Sequence, residues 1–150
     1  MILQKPMLIR KMKKEDAERV SALCGELGYP VDAGTMAFRI EAMKQGDGRE
    51  ALVACTSDGS IAGWIEMEVV EHLTSDRTVS ISGLVVSAGM RSKGIGKMLL
   101  QEAEQWAKIR GVTRMLVRSR IAREDAHRFY EREGYVRVKT SAVFEKPLCL

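Results

Sequence analysis

Two glycines and three cations lie in one short segment that follows a strand-like run: Arg91-Ser92-Lys93-Gly94-Ile95-Gly96-Lys97. The apolar run at 80–86 predicts a strand before this segment, and the apolar positions that begin within it have helical spacing: Ile95, Leu99, Ala103 and Trp106. The glycines are therefore predicted to lie at the start of a helix. The first turn of a helix has unpaired N–H groups and a partial positive charge, and glycine lets an anion come close to them. With the cations, this pattern predicts a phosphate loop at residues 91–97.

Two other phosphate-binding loops fit this segment less well. A Rossmann fingerprint needs a third glycine, but the chain has Leu99 there, and no acidic residue lies in the expected place at a second strand end. A Walker loop needs Gly at the position of Arg91 and Ser or Thr at the position of Met98. A glycine pair could also merely ease packing at a helix start. The glycines alone leave these interpretations open.

Together with a second segment, the phosphate loop resembles that of the GCN5-related N-acetyltransferases (GNAT). That family has Arg/Gln-x-x-Gly-x-Gly/Ala after a strand that ends in an apolar-Val pair, and residues 91–96 match it fully. One helix later the family has Asn-x-x-Ala-x-x-Phe-Tyr-x-x-x-Gly-Phe, which is similar to Arg123-Glu124-Asp125-Ala126-His127-Arg128-Phe129-Tyr130-Glu131-Arg132-Glu133-Gly134-Tyr135. The resemblance covers residues 61–148, and residues 1–50 in outline. The chain departs from the family at Ala88, where Pro is usual, and at Arg123, where Asn is usual; Arg123 could instead face a phosphate.

The order of predicted elements favours a mixed α/β or α+β sheet. Helices are predicted from residue 16 to the stop at Gly28, at 32–44, at 94–110 and at 123–132. Strands are predicted at 7–12, 51–56, 61–70, 78–87, 113–118, 135–139 and 142–146. The GNAT resemblance implies a single mixed, mostly antiparallel sheet of about seven strands with about four helices, in which the central parallel strands splay apart. We expect one domain over residues 1–150, which is near the commonest domain size.

The resemblance also implies acetyl-CoA as the cofactor and indicates the residues that hold it. In the family the pantetheine arm pairs with the backbone at the end of the strand before the loop. A backbone N–H there can donate to the thioester carbonyl as negative charge develops on it. The residues implied by this comparison are Leu84, Val85, Val86, Arg91, Ser92, Lys93, Gly94, Ile95, Gly96, Lys97, Arg123, Ala126, Phe129, Tyr130 and Arg132.

Direct transfer of an acetyl group to an amine requires one proton to leave the ammonium and one to reach the departing thiolate. Tyr130 matches the family's general acid, although it could instead only pack or bind the cofactor. Many relatives have a carboxylate just before the apolar-Val pair, where this chain has Gly83. Period-two alternation places Glu66 and Glu68 on one face of the preceding strand, as the nearest candidates for the base. A solvated strand face explains them equally well, and an amine that is already partly deprotonated would need no strong base.

The C-terminal part of the chain resembles small bacterial acetyltransferases that act on low-molecular-weight amines, including aminoalkylphosphonate and aminoglycoside modifiers. We therefore expect a primary amine of a small molecule as the acceptor. A phosphonate would need cations such as Arg39 and Arg77, whereas a cationic amine would need acids. The candidate acids are Glu41, Glu66, Glu68 and Glu71. The acids of the third strand slightly favour a cationic amine. Two alternatives stay open: a catalytically silent acetyl-CoA-binding regulatory module, and an acetyltransferase of protein N-termini or lysines.

Composition narrows the remaining classes of function. The net charge is +4, but Lys and Arg are interleaved with Asp and Glu nearly everywhere, so nucleic acid is not an expected partner. No apolar run reaches the roughly 18 residues of a membrane span, and the N-terminal run is too short for a secretory signal, so we expect a cytoplasmic protein without a membrane partner. Cys24, Cys55 and Cys149 have neither disulfide nor zinc spacing, and no metal is expected. Homodimers are common among GNAT relatives, and the two C-terminal strands could pair across subunits.

Overall fold

The computed structural model describes residues 7–43 and 48–149. Its residues divide into two compact units, Met1–Val117 and Arg118–Leu150. The strands of the first unit are β1 Leu8–Lys11, β2 Arg49–Cys55, β3 Ile61–His72, β4 Ser75–Val86 and β5 Met115–Val117. Its helices are α1 Ala17–Glu26, α2 Ala33–Met43 and α3 Ile95–Ile109, and it has short 3-10 turns at Lys14–Asp16 and Ala88–Met90. The second unit carries helix α4, Glu124–Arg132. Within the described ranges, no helix is both long enough and apolar enough to cross a membrane.

The strands form one sheet in the order β1-β2-β3-β4-β5. The first four strands are antiparallel neighbours, and β4 pairs with β5 in parallel. The expected mixed, mostly antiparallel sheet is therefore confirmed, as are the four predicted helices. Lys44, the last residue of the helix predicted at 32–44, lies outside the described residues.

The sheet has five strands where about seven were expected. No strand forms at 135–139 or 142–146, and across residues 118–149 the structure assigns no strand at all. The apolar side chains of these two runs are exposed, among them Val136, Val138, Val143 and Phe144. Alternating apolar residues describe the side chains of a strand, but a strand also needs a neighbour that pairs with its N–H and C=O groups. The second unit by itself offers no such neighbour.

The two parallel strands, which were expected at the centre, lie at one edge of the five-stranded sheet, because no strand forms beyond β5, and they are paired over a short distance. Their ladder runs from the pair of Val79 and Met115 to the pair of Ile81 and Val117. β4 continues beyond this point to Val86. Among the described residues, the end of β4 therefore has no strand neighbour on its β5 side, and no ladder hydrogen bonds form along that edge.

The two faces of the sheet pack against different helices. α1 and α2 cover one face, where the buried residues include Val20, Leu23, Ile40, Val53 and Val85. α3 covers the other face, and a Cβ added to Gly63 of β3 would lie 3.4 Å from both Ile95 and Leu99. Full burial of a side chain such as Leu99 contributes about 2 kcal/mol. This packing holds α3, and with it the loop before α3, against the sheet.

A partly buried ion pair links β1 to the start of α1. The Asp16 carboxylate accepts hydrogen bonds from both terminal nitrogens of Arg10, at 2.8 and 2.9 Å, and from the Lys13 N–H at 2.8 Å. The hydrogen bond with Arg10 is the main cause that lowers the pKa of Asp16 below 3.8, against the opposing effect of burial. The helix predicted from residue 16 begins at Ala17, because Asp16 belongs to the preceding 3-10 turn.

Candidate active site

The phosphate loop lies between β4 and α3 in the first unit. Gly94, directly before α3, has a left-handed backbone with φ of 80°. Ser92 is also left-handed, with φ of 65°, a conformation that costs roughly 1 kcal/mol for a residue with a Cβ. Turn conformations with left-handed residues can point neighbouring N–H groups toward one side, as in anion-binding backbone nests. The local backbone thus favours an anion site.

The N–H groups at the start of α3 are available to such an anion. The first amide paired in the helical pattern is that of Met98, which donates to the Gly94 carbonyl at 3.0 Å. The amides of residues 94–97 have no acceptor among the residues that the structure describes. Ile95 is buried and anchors this turn to the core. The first turn therefore presents a group of unpaired donors, together with the partial positive charge of a helix start.

The side chains of the phosphate loop add charge at the same place. Arg91, Ser92, Lys93 and Lys97 are exposed. A Cβ added to Gly94 would meet no atom within 4 Å, so the space over the helix start is open. Open space, unpaired donors and positive side chains are the properties that a diphosphate requires, and the loop residues fit the diphosphate of CoA.

The end of β4 is adjacent to the phosphate loop. Leu84, Val85 and Val86 pair with β3 on one side, and on the other side no strand pairs with them in the described chain. Val85 is buried in the core under α1 and α2. The Arg91 Nε donates to the Val86 carbonyl at 3.5 Å, a weak hydrogen bond that connects the strand end to the loop. The expected sites for the pantetheine arm and the diphosphate are thus next to each other.

Gly83 precedes this strand end and is covered by the indole of Trp64. A Cβ added to Gly83 would lie 2.8 Å from both Cη2 and Cζ3 of Trp64. The Trp64 Nε1 is buried and has no hydrogen-bond partner among the described residues. The space that a side chain at position 83 would need is filled by the indole, which accounts for glycine where many relatives have a carboxylate.

Glu66 lies directly opposite Gly83 in the ladder of β3 and β4, so both residues belong to the same face of the sheet. The Glu66 carboxylate forms an ion pair with Arg49 of β2 at 3.1 Å, and its side chain is 25% exposed. Glu68 lies two residues further along β3, opposite Ser80, and is also partly buried. Of the two acids, Glu66 is the one whose strand position is level with Gly83.

In the second unit, aromatic contacts hold Tyr130 on α4. Its ring centroid lies 5.2 Å from that of Phe129 and 6.0 Å from that of Tyr135. Gly134, with φ of 92°, ends the helix and allows the Tyr135 N–H to donate to the Tyr130 carbonyl at 2.9 Å. Burial raises the pKa of the Tyr130 phenol above 10.0, and the charge of Arg123 acts in the opposite direction.

The remaining predicted cofactor residues also belong to α4. Arg123 is the N-cap residue, and its side chain makes no capping hydrogen bond. Asn, the usual family residue, is a strong N-cap, so this chain lacks that stabilisation of the helix start. Ala126 and Phe129 are partly buried, and Arg132 in the last turn is exposed.

Comparison with known proteins identifies the family. The model of the "Acetyltransferase (GNAT) family" matches residues 28–135. The chain belongs to this family. It is an acetyl-CoA-dependent N-acetyltransferase, and its cofactor is acetyl-CoA.

Individual GNAT relatives cover the chain to different extents. The chain is 33% identical over 141 residues to the uncharacterized N-acetyltransferase YhdJ of Bacillus subtilis (strain 168), which covers 90% of this chain and 94% of that protein. It is 39% identical over 79 residues to the aminoalkylphosphonate N-acetyltransferase of Salmonella typhimurium (strain LT2), and this match covers 52% of this chain and 51% of that protein. The structure of the aminoglycoside N-acetyltransferase AAC(6')-Iy in complex with CoA has a TM-score of 0.85 at 19% identity, over 99% of both chains. At that identity the likeness concerns the fold.

The residues predicted to form the active site are divided between the two units. The strand end, the phosphate loop and the two acids of β3 belong to the first unit, and the predicted residues from Arg123 to Arg132 belong to the second. The sequence did not predict that Trp64 covers Gly83 or that Arg49 pairs with Glu66. Period-two alternation already places Trp64 and Glu66 on one strand face, but only the strand register pairs that face with Gly83.

Proposed function

We propose that this GNAT enzyme transfers the acetyl group directly from acetyl-CoA to a primary amine of a small, cationic molecule. The observation that carries the proposal is the unpaired helix start at residues 94–97, next to the open edge of β4 in one unit. The helix start offers donors to a diphosphate. The strand edge offers backbone groups to the amide-containing arm that is attached to that diphosphate in CoA. Residues 84–97 therefore have binding groups for both parts of the cofactor.

In this proposal the backbone does most of the binding. The amides of residues 94–97 donate to the diphosphate oxygens, and Arg91, Lys93 and Lys97 offset its charge. Along residues 84–86, the backbone groups that point to the open edge pair with the pantetheine arm. One of them donates to the thioester carbonyl oxygen, where negative charge develops during transfer. When bound, acetyl-CoA supplies the activated acetyl group.

Two side chains move the protons that the transfer requires. Glu66, directly or through a water molecule, accepts the proton that the ammonium must lose before its nitrogen attacks the acetyl carbon. Tyr130 gives its phenolic proton to sulfur as the C–S bond breaks and the C–N bond forms, and it later regains a proton from solvent. Glu66 is preferred to Glu68 because it is level with Gly83, one residue before the strand end. Tyr130 is suited to an acid because burial raises its pKa, which keeps the phenol protonated at neutral pH.

The charges near β3 support a cationic acceptor. Glu66 and Glu68 are partly buried acids on one face of β3. Arg77, a cation that a phosphonate could use, forms an ion pair with Glu71 at 3.0 Å. This pair offsets the charge of Arg77 within the first unit, as Arg49 offsets that of Glu66, and Glu68 forms no ion pair among the described residues. An aminoglycoside, the substrate class named for the relative of similar fold, is an acceptor of this cationic kind.

A panel of amines tests the acceptor class. Release of free thiol from acetyl-CoA is measured with aminoglycosides, polyamines, an aminoalkylphosphonate and peptides that carry a free N-terminus or lysine. We expect turnover with a cationic small amine. Turnover with peptides alone would replace the proposal by protein acetylation, and CoA binding without turnover of any amine would replace it by a silent regulatory module.

The role of the phosphate loop is tested separately by Lys93→Ala. Lys93 is exposed, so its removal should leave the fold intact and raise the KM for acetyl-CoA by about three- to tenfold. Lys108→Ala is the matched control, because Lys108 is an exposed lysine in the last turn of α3, at the end far from the loop. An equal KM for both variants and the unaltered enzyme would contradict diphosphate binding at this loop.

A further inference from the structure

We infer that Glu26 of α1 is a positioning residue for acetyl-CoA binding, which holds the turn between β4 and the phosphate loop. This inference rests on the proposed role of that loop. Glu26 is the last residue of α1, and its Oε2 accepts a hydrogen bond from the Ala88 N–H at 3.2 Å. Ala88 begins the 3-10 turn Ala88–Met90, which leads directly to Arg91. The carboxylate thus acts on the backbone between the two proposed cofactor-binding segments.

Ser87, the residue before Ala88, is held by contacts with both β3 and α1. The Ser87 N–H donates to the Ala62 carbonyl of β3 at 2.8 Å. Arg19 of α1 donates from Nε to the Ile61 carbonyl at 3.2 Å and from its guanidinium to the Ser87 hydroxyl at 3.5 Å. Ser87 is buried, whereas Ala88 is exposed. The Glu26 carboxylate extends this support to the exposed turn, together with the Met90 N–H, which donates to the Ser87 carbonyl at 2.9 Å, and the weak hydrogen bond from Arg91 to Val86.

This support affects binding because one ligand must meet two surfaces at once. The strand edge at residues 84–86 and the helix start at residues 94–97 are connected by the turn that Glu26 contacts. A rotation of the backbone at Ala88 would shift the phosphate loop relative to the strand edge. A ligand that spans both surfaces would then lose contacts at one of them, even though every binding group is still present.

The backbone at this turn allows a direct test of the inference. Ala88 is the first residue of a helical turn, a position that accepts proline. Ser87 has φ of −52° and ψ of 138°, the extended conformation that proline requires of the preceding residue. Proline at position 88 would remove the N–H that Glu26 accepts from and would itself restrict the backbone. In such a variant, Glu26 should no longer matter.

The experiment measures kcat and the KM for acetyl-CoA for Glu26→Ala, Glu26→Gln, Ala88→Pro and the double variant Glu26→Ala with Ala88→Pro. Glu26→Ala should raise the KM by about three- to tenfold and change kcat by less than about twofold, because one hydrogen bond to the backbone is lost. Glu26→Gln keeps an acceptor oxygen and should recover most of the affinity. In the Ala88→Pro background, Glu26→Ala should have no further effect. Glu18→Ala, which removes another exposed acid of α1, is the control and should behave like the unaltered enzyme.

Two results would overturn the inference. One is an unchanged KM in Glu26→Ala. The other is a rise in KM upon Glu26→Ala that is equally large in the unaltered enzyme and in the Ala88→Pro background, which would mean that Glu26 acts elsewhere. Thermal unfolding of each variant separates a general loss of stability from a loss of affinity. If Lys93→Ala raises the KM and Glu26→Ala does not, the inference about Glu26 fails alone. If Lys93→Ala has no effect, the proposed function of the loop fails.

Discussion

Replacement of Gly83 by Ala should destabilise the first unit, because Trp64 occupies the space of the new methyl group. The added Cβ would lie 2.8 Å from two carbons of the indole. Carbon atoms in contact normally lie about 3.5–4.0 Å apart, so the ring would have to move by roughly 0.7–1.2 Å. Trp64 packs against the core that contains Val53 and Val85, and this core resists such a movement. Overpacking of this kind costs about 1–3 kcal/mol, and we expect a loss of about 2 kcal/mol in the free energy of unfolding.

Thermal unfolding followed by circular dichroism measures this loss. For a chain of this length, 1 kcal/mol corresponds to a change of about 2–4 °C in Tm, so Gly83→Ala should lower Tm by about 4–8 °C. Gly25→Ala is the matched control, because a Cβ on this exposed α1 glycine would meet no atom within 4 Å. Alanine is the better helix former by about 1 kcal/mol, so the control variant should be at least as stable as the unaltered protein.

A second substitution identifies the indole as the cause. Trp64→Leu removes atoms that the new methyl group would meet, and in this background Gly83→Ala should cost less than about 0.5 kcal/mol. If Gly83→Ala is as stable as the unaltered protein, the packing of Trp64 on Gly83 does not restrict position 83. If it costs the same with Trp64 and with Leu at position 64, the need for glycine comes from the backbone of β4 and the steric explanation is wrong.

Three further predictions concern catalysis and stability. Tyr130→Phe should lower kcat by about 100-fold or more while the KM for acetyl-CoA changes little, and an unchanged kcat would remove Tyr130 from the role of acid. Because burial raises the pKa of this phenol, the unaltered enzyme should lose rate from this group only at a higher pH than an exposed tyrosine would allow. Glu66→Gln should lower the rate below pH 8 far more than Glu68→Gln does, and a pH–rate profile unaffected by either change would favour an amine that loses its proton without a base. Asp16→Asn should reduce the free energy of unfolding at pH 7 by about 2 kcal/mol. Because Arg10 lowers the pKa of Asp16 below 3.8, this contribution is present above pH 3.8 and is lost as the pH falls through the lowered pKa. The variant and the unaltered protein should therefore become equally stable in acid denaturation. A constant difference in stability down to pH 2 would contradict this linkage.

Much of the fold follows from patterns that are local in the chain. The strand predicted at 61–70 is observed at Ile61–His72, and the helix predicted at 94–110 is observed at Ile95–Ile109. The apolar period that predicts these elements depends on residues only a few positions apart. The same patterns were wrong at 135–139 and 142–146, where the apolar alternation is present but no strand pairs with the chain. Pairing is a property of the neighbour and cannot be read from the run itself.

The sequence by itself determined the local features of the proposed phosphate loop, since its glycines, its cations and the helix that follows are contiguous. Only the tertiary structure decided what surrounds that loop. The register of β3 and β4 makes Glu66 level with Gly83, and a shift by one residue would move Glu66 to the opposite face of the sheet. The contact between Glu26 and Ala88 joins residues 62 positions apart. Contacts of this kind depend on how distant segments pack. The unpaired helix start at residues 94–97 was therefore predictable, whereas its support from α1 and the indole that fills the space beside Gly83 were not.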